Sequence, residues 1–234
     1  MQTITDISEK RVGSYIVSID GEPIGALSPA AIADLGFGVG DTLDVKALDK
    51  LRDAIAEQVV FDKAVELLGV SQRSTRDLQR RLVQKGAGKV HVEAAIIRLA
   101  ALGYLDDSAF AESLVRSRLV EGGSSKRRVE QILLRKGVAR SVADEAIQRA
   151  IDENGTDERV AALQVARKRL KTLRSLDPAT RKRRLYGFLA RRGYDAGAIS
   201  LVLRDLGSEL ALSESADLLD IEEGLNDDIA TGDE

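Results

Sequence analysis

The chain has few residues that could carry out catalysis. It contains no cysteine and a single histidine, His91, which excludes thiolate nucleophiles, disulfides, cysteine-based zinc sites and most histidine-based proton transfer. Asp106 and Asp107 form a carboxylate pair, but sequence neighbours on a helix point in different directions. One of the two is better explained as the cap of the helix that follows. We therefore predict a non-enzymatic protein with no catalytic residue, no metal site and no cofactor.

A short glycine-rich segment, Gly86-Ala87-Gly88-Lys89-Val90, resembles part of a phosphate-binding loop. That loop needs a glycine five residues before Gly88, where this chain has Val83, and a serine or threonine where it has Val90. The segment also follows a predicted helix, whereas a phosphate-binding loop follows a strand. We interpret it as a helix end and not as a nucleotide site.

Charge is divided unevenly along the 234 residues. The net charge of -3 conceals -5 in residues 1–60, +12 in residues 61–206 and -10 in residues 207–234. This division favours contact between the middle segment and a polyanion, although a solvated helix surface also explains a basic excess. No stretch approaches about 18 uncharged apolar residues, and the first residues lack the apolar region of a secretory signal. A cytoplasmic location is therefore expected.

Residues 1–57 are predicted as an α+β segment that contains a small β-hairpin. Residues 15–19 have strand composition, Asp20-Gly21 is typical of a two-residue turn, and residues 23–27 can return as the second strand. Ser28-Pro29 marks the start of a short helix, with serine as the cap and proline at the first helical position.

From about residue 58 the apolar spacing is that of amphipathic helices, and a repeat appears. Three predicted helices end in a Lys or Arg followed by a glycine, at Gly86, Gly137 and Gly193, which lie 51 and 56 residues apart. That spacing accommodates about three short helices per unit. The fold is thus predicted to be mainly α, with three tandem three-helix repeats that form an elongated body.

The predicted repeats cover residues 58–105, 106–154 and 155–206, and an acidic tail covers residues 207–234. Each repeat glycine suits the left-handed residue that ends a helix, and a cation before it interacts favourably with the helix C-terminus. The tail has ten acidic and no basic residues, which favours disorder or loose docking.

Basic side chains recur on or beside the middle helix of each repeat. Because such helices would stand in a row, they would form a basic stripe able to bind phosphate oxygens or an acidic protein surface. The predicted stripe consists of Arg80, Arg81, Lys85, Lys126, Arg127, Arg128, Arg135, Lys136, Arg181, Lys182, Arg183, Arg184, Arg191 and Arg192. Few aromatic residues accompany these cations, so a base-stacking platform for single strands is weakly supported.

One motif consists of Gly103, Tyr104, Leu105, Asp106, Asp107 and Phe110. The basic helix ending at Lys136-Gly137 and the later segment 188–194 follow it along the chain. In this order, the three segments resemble the RecX family of bacterial recombinase regulators. The resemblance covers about residues 58–206 and leaves out the hairpin and the tail. We expect Gly103 and Tyr104 to close the first repeat against the second, with Phe110 in their shared core.

The resemblance implies a regulatory protein that binds RecA and RecA–DNA filaments. Family members inhibit the recombinase, ATPase and co-protease activities of RecA and so modulate DNA repair, recombination and the SOS response. Weak direct binding to DNA is compatible with this role, no membrane partner is expected, and the protein is expected to be a monomer. The residues alone leave two alternatives: a helix-turn-helix-like protein that binds DNA without RecA, and a repeat scaffold for acidic proteins.

Overall fold

The computed structural model describes residues 1–155 and 157–211, and this part of the chain is mostly helical. The strands are β1 Gln2–Arg11, β2 Ser14–Ile19, β3 Glu22–Leu27 and β4 Thr42–Leu43. The helices are α1 Pro29–Leu35, α2 Val45–Val70, α3 Thr75–Gln84, α4 Lys89–Ala101, α5 Asp107–Val115, α6 Lys126–Lys136, α7 Arg140–Asn154, α8 Glu158–Lys171, α9 Pro178–Arg191, α10 Ala196–Asp205 and α11 Gly207–Ala211. A π-helix, Arg116–Glu121, follows α5. The predicted mainly-α fold after a small β segment is confirmed.

The described chain divides into two compact units. The first unit contains Met1–Phe110 together with Lys136–Val138. The second contains Ala111–Arg135 and the described residues from Ala139 onward. The expected disorder of the tail concerns residues 212–234, which lie outside the described residues.

The N-terminal sheet has the strand order β3-β2-β1-β4, and its neighbouring strands are antiparallel. The predicted hairpin is confirmed as β2–β3. Its turn residues Asp20 and Gly21 have φ angles of 50° and 88°, as a two-residue turn requires. The sequence analysis did not predict β1, which pairs with β2 along its length and with β4 at Gln2 and Thr3.

Helix α2 has 26 residues and belongs to two cores. Leu51 and Ile55 pack under the sheet, whereas Val60 and Ala64 pack with α3 and α4. The helix runs unbroken through residues 57 and 58, so the border that we expected there lies inside a helix. Helix α2 starts at residue 45, well before the predicted border. It can run on without a break because the chain has no glycine or proline between residues 45 and 68.

The last described helix, α11, packs with α8, α9 and α10. We call the core that these helices share the third helical core. Leu210 is buried in that core with Leu185, Leu189 and Leu206. The packed body therefore extends to Ala211, five residues beyond the border predicted at residue 206. Burial of one leucine side chain accounts for this, because it removes apolar surface worth about 1.5–3 kcal/mol from water.

A junction between a helix end and a helix start is found in each unit. In the first unit, the hydroxyl of Ser74 donates a hydrogen bond to the carbonyl oxygen of Lys136 and accepts one from the N–H of Asp77. In the second unit, the N–H of Ser125 donates to the carbonyl oxygen of Arg192 at 2.9 Å, and its hydroxyl caps α6. In both junctions, the residue before a repeat glycine meets a helix start capped by serine.

The repeat glycines have the predicted left-handed conformation. The φ angles of Gly86, Gly137 and Gly193 are 88°, 85° and 91°. Two of them also have no room for a side chain: a Cβ atom would lie 2.4 Å from the Cβ of Arg76 at Gly137 and 2.5 Å from the Cβ of Arg128 at Gly193. At Gly86 nothing lies within 4 Å. The close approach is therefore specific to the two junctions.

Asp77 is the buried charge of the first junction. Its side chain is 2% exposed, and its carboxylate accepts hydrogen bonds from Arg80 at 2.6 Å, Arg81 at 3.2 Å, Lys136 at 3.3 Å and Arg73 at 3.4 Å. Burial raises the pKa of Asp77, but the hydrogen bonds from Arg80, Arg81 and Lys136 and the charge of Lys136 outweigh burial and lower this pKa to about 2. Asp77 is therefore ionised at neutral pH and neutralises the cations around it.

Replacing the junction glycine Gly193 with alanine should destabilise the fold more than the same change at Gly86. Both positions have nearly the same φ, so the strain of a left-handed alanine, about 1–2 kcal/mol, is common to both variants. Gly193→Ala adds a steric overlap with Arg128, which we expect to cost roughly 1–3 kcal/mol more. The free energies of unfolding from urea denaturation measure the difference, and equal values for the two variants would contradict a close contact at Gly193.

Replacing Asp77 with asparagine should lower the free energy of unfolding by roughly 2 kcal/mol at pH 7, since the depressed pKa reports that much stabilisation of the ionised form. The folded-state pKa lies below the unfolded value, so the stabilisation is complete above about pH 5 and disappears as the pH falls from about 4 to about 2.

The difference in the free energy of unfolding between wild type and Asp77→Asn, measured by urea titration, should therefore narrow over that acid range. The matched control is Glu145→Gln, which removes an exposed ion pair with Arg149. We expect it to cost under about 1 kcal/mol. A gap that stays constant down to pH 2 would mean that the charge of Asp77 does not stabilise the junction.

Candidate functional site

Three stripe residues of the first unit are held by an internal carboxylate. Arg80, Arg81 and Lys136 all bind Asp77, so part of their charge is neutralised inside the protein. Lys85 lies exposed where α3 ends. Three of the four predicted stripe residues of this unit are therefore brought together around a buried acid, and Lys85 lies apart from them.

The stripe residues of the second unit are arranged differently. Seven of them are exposed and form no ion pair with a carboxylate of the residues that the structure describes. We call these seven the open cation set: Lys126, Arg127, Arg135, Lys182, Arg183, Arg184 and Arg191. The first three lie on α6 and the other four on α9.

The second junction brings the two basic helices together. Because the N–H of Ser125 binds the carbonyl oxygen of Arg192, the first turn of α6 lies beside the last turn of α9. A cavity of about 280 Å³ opens next to this contact. Its lining includes Lys126, Arg127, Glu158, Arg159, Gly193 and Tyr194.

Tyr194 anchors this cavity. Its hydroxyl donates a hydrogen bond to the carbonyl oxygen of Gly123 at 3.1 Å. Burial, and to a lesser degree the charge of Glu158, raises the pKa of Tyr194 to about 12. The phenol is therefore a permanent donor near neutral pH. Two acids, Glu158 and Asp195, line the cavity, and Glu158 accepts a hydrogen bond from the N–H of Lys126 at 3.2 Å.

Arg181 is not a surface residue, and its place in the stripe is corrected. The side chain is 3% exposed and donates to the carbonyl oxygens of Leu176 at 2.8 Å and Leu210 at 3.3 Å. It ties α9 to the loop before it and to α11. Composition gave no means of separating this buried arginine from the three exposed cations that follow it.

Two further stripe residues, Arg128 and Arg192, are half-buried at the second junction. The guanidinium of Arg192 stacks over the ring of Phe188, 4.7 Å from the ring centre. Such stacking stabilises a cation that has no carboxylate partner by about 0.5–1 kcal/mol or more. Both side chains therefore pack at the junction as well as adding charge to it.

The motif around Asp106 and Asp107 has a capping role. Asp106 accepts hydrogen bonds from the N–H groups of Ser108 at 2.8 Å and Ala109 at 2.9 Å, so it caps α5 as predicted. Asp107 accepts from the N–H of Thr75 at 2.7 Å, at the start of α3. Both carboxylates are therefore used by helix starts.

The aromatic part of this motif differs from the expectation. Tyr104 is 60% exposed, so it does not close a core, and Phe110 is only half-buried. Both side chains line a cavity of about 410 Å³ in the first unit, which Val65 and Leu68 of α2 also border. An exposed tyrosine beside an apolar cavity is a surface suited to contact with a protein partner.

The sequence analysis missed the central role of Asp77. A usable signal was present, since Arg80 and Arg81 follow it at the spacings that allow ion pairs on one helix face. A second signal is positional: the residue 51 positions after Asp77, at the same place in the next repeat, is Arg128. The first junction thus has an acid where the second has a base.

Metal-binding clusters and membrane-spanning helices are absent from the residues that the structure describes. Within residues 1–155 and 157–211 no group of three or more His, Cys, Asp or Glu side chains is placed to hold a metal ion. In the same part of the chain, no helix is both long enough and apolar enough to cross a membrane. The open cation set can bind anions, and the exposed Tyr104 with its apolar cavity can bind a protein partner.

Comparison with known proteins identifies the helical repeats. Residues 106–147 match the family described as RecX, second three-helix domain, and residues 157–203 match RecX, third three-helix domain. Regulatory protein RecX of Amycolatopsis mediterranei is 36% identical over 165 residues, which cover 69% of this chain and 90% of that protein. Regulatory protein RecX of Lactobacillus gasseri is 27% identical over 220 residues, which cover 94% of this chain and 80% of that protein.

Solved structures agree in fold. A crystal structure of regulatory protein RecX superposes with a TM-score of 0.65 at 21% identity, covering 86% of this chain and 98% of the other. RecX from Lactobacillus salivarius gives a TM-score of 0.50 at 16% identity, covering 65% and 97%. With the sequence of two of its three-helix units, a relative matched over nine tenths of its length, and this fold, the chain belongs to the RecX family of regulatory proteins.

Proposed function

We propose that this protein binds RecA and RecA–DNA filaments in the cytoplasm and inhibits the recombinase, ATPase and co-protease activities of RecA. By doing so it would modulate DNA repair, recombination and the SOS response. The observation that carries the proposal is the family membership, which two separate three-helix units support. The open cation set adds a physical means of binding. Its positive charges, which form no ion pair among the described residues, lie on α6 and α9, within the two matched three-helix domains.

Binding without chemistry is sufficient for inhibition. A filament is a repeating array of protein and phosphate, so a monomer with several separated contact points can bind adjacent sites at once. Each exposed cation contributes little binding free energy by itself. Contacts on one molecule nevertheless strengthen binding together, because the first contact raises the effective concentration for the next. A protein bound in this way blocks filament growth or the surface that strand exchange needs, and RecA turnover falls.

The two units supply different kinds of contact under this proposal. The open cation set lies on α6 and α9 of the second unit and suits phosphate or acidic side chains. The exposed Tyr104 and its apolar cavity lie in the first unit and suit a protein surface. Of the other predicted stripe residues, Arg80, Arg81 and Lys136 serve mainly the first junction.

The protein should slow single-stranded-DNA-dependent ATP hydrolysis by RecA and hydrolyse no ATP by itself. The expected mechanism is occupation of the filament, so inhibition should reach its limit at or below one protein per RecA. A coupled ATPase assay across a titration measures this. Unchanged RecA turnover, together with binding to duplex DNA in the absence of RecA, would instead support a RecA-independent DNA-binding protein.

Replacing Lys126, Arg127 and Arg128 with alanine should weaken inhibition of RecA more than it weakens folding. The exposed charges of Lys126 and Arg127 add less than about 1 kcal/mol to stability, and alanine keeps the Cβ atom with which half-buried Arg128 packs at the junction. The loss of three cations lowers polyanion affinity by roughly tenfold or more at low salt. The RecA ATPase assay gives the inhibition constant and thermal denaturation gives the stability.

A matched control removes the same charge elsewhere. Lys46, Lys50 and Arg52 are exposed on α2 and lie outside the predicted stripe. Their triple replacement with alanine should leave inhibition within about twofold of the wild type, a difference of about 0.4 kcal/mol. If both triple variants lose inhibition equally, total charge and not the basic surface at α6 governs binding.

A further inference from the structure

The open cation set is unneutralised within the described chain, in contrast to the first unit. There, one buried carboxylate, Asp77, accepts hydrogen bonds from four cations. The second unit has Arg128 at the matching repeat position. Glu158 and Asp195 line the cavity beside this junction, but neither forms an ion pair with a cation of the open set within the described residues. Seven exposed cations on α6 and α9 therefore remain available for an anionic occupant.

The end of the described chain lies beside these cations. Leu210 is buried in the third helical core, and its carbonyl oxygen accepts a hydrogen bond from Arg181 of α9 at 3.3 Å. The next three residues of α9 are Lys182, Arg183 and Arg184, which belong to the open cation set. Ala211, the last residue that the structure describes, directly follows Leu210, so residue 212 begins next to this basic part of the second unit.

The first acid of the C-terminal acidic run already pairs with a cation of this unit. Glu209 accepts a hydrogen bond from the Nε of Arg167 at 3.1 Å. Beyond it, residues 212–234 contain nine Asp or Glu and no Lys or Arg. These 23 residues can span at most about 80 Å, which is far longer than an α-helix of 14 residues, about 21 Å.

We propose that residues 212–234 bind the open cation set and compete there with external polyanions. Charge complementarity identifies the occupant: residues 212–234 have nine acids and no base, and the seven cations form no ion pair among the described residues. The acidic segment also follows directly from the same unit. Tethering makes the contact intramolecular, with an effective concentration on the order of 1 mM. Weak affinity is therefore enough for the segment to occupy the surface.

The size of the effect follows from two quantities. Non-specific electrostatic association has dissociation constants near 0.1 mM at the weak end. At an effective concentration of about 1 mM, such a contact is occupied roughly nine tenths of the time and weakens a competing ligand about tenfold. Both effects should diminish as added salt screens the charges.

Docking of the segment is an inference about this chain alone, whereas its effect on RecA rests on the proposed function. The bound segment would then limit which anions can bind the open cation set, because only a polyanion that presents many phosphates at once displaces it. A filament presents such an array of phosphates along its length, whereas scattered anions do not. The segment would therefore suppress adventitious binding of the open cation set while permitting binding to an extended array.

The test uses the full-length chain with a neutralised segment. The nine substitutions are Glu214→Gln, Asp217→Asn, Asp220→Asn, Glu222→Gln, Glu223→Gln, Asp227→Asn, Asp228→Asn, Asp233→Asn and Glu234→Gln. The control is a full-length variant in which residues 212–234 keep their composition in shuffled order. Charge-driven docking predicts that the shuffled variant behaves as the wild type.

The first readout is the rate at which lysines react with an acetylating reagent, followed by mass spectrometry. Lys126 and Lys182 belong to the open cation set, whereas Lys46 and Lys50 are exposed on α2 in the other unit. Docking predicts that neutralisation speeds acetylation of Lys126 and Lys182 by about tenfold at low salt. The rates at Lys46 and Lys50 should not change. Equal rates at all four lysines in wild type and neutralised variant would overturn the docking.

The second readout is the affinity for a fluorescent single-stranded oligonucleotide of thymidines, measured by anisotropy. The neutralised variant should bind about tenfold more tightly at roughly 50 mM salt, and the gap should close by a few hundred millimolar. Lys126→Ala, Arg127→Ala and Arg128→Ala added to the neutralised variant should shrink this gap.

The two readouts separate the possible failures. Faster acetylation at Lys126 and Lys182 with unchanged oligonucleotide affinity would uphold the docking and overturn the competition. An increase in oligonucleotide affinity with equal lysine rates would show a general effect of net charge and would overturn the docking. A protein that docks its segment but leaves RecA turnover unchanged would refute the proposed function and not this inference.

Discussion

The helical part of the protein depends on the contact between a left-handed glycine and a helix start capped by serine. A helix end leaves carbonyl oxygens without partners, and a helix start leaves N–H groups without partners. At Ser74 and at Ser125 the two kinds of end meet, so that one residue both caps its own helix and binds the carbonyl oxygen before the glycine. The contact needs the absence of a side chain at Gly137 and Gly193, because a Cβ atom would overlap the opposing helix turn.

The same contact fixes where charge accumulates. Cations before the glycines are placed over helix starts that carry further cations, which is unfavourable unless something compensates. In the first unit Asp77 compensates, and its depressed pKa shows that it is stabilised in the charged form. In the second unit the matching position is Arg128. There Arg192 stacks on Phe188, and Glu158 accepts a hydrogen bond from the backbone N–H of Lys126 without forming an ion pair among the described residues. One difference between two otherwise similar junctions thus separates a neutralised surface from a basic one.

Sequence reasoning predicted the features that are local and missed those that need distant residues. The glycine helix ends, the Asp20-Gly21 turn and a helix cap from the Asp106-Asp107 pair follow from short-range geometry, and all are confirmed. Arg181 is buried against the carbonyl oxygen of Leu210 in α11 as well as those of the preceding loop, and the close approach at Gly193 is to Arg128 of α6. Sequence neighbours alone therefore could not predict either feature. Strand β1 alternates polar and β-branched residues but has an exposed outer half, which weakened the pattern.

Under the proposed function, binding depends on folding through the second junction. Seven separate cations on two helices would bind an extended polyanion well only if their spacing is fixed, because each cation alone is worth little in water. The contact of Ser125 with Arg192 and the fit of Gly193 against Arg128 hold α6 against α9 and so set that spacing. A glycine, which carries no charge, would therefore determine how strongly the charged residues act. The same reasoning applies to the proposed competition by residues 212–234, because their acids would meet cations whose spacing is already fixed.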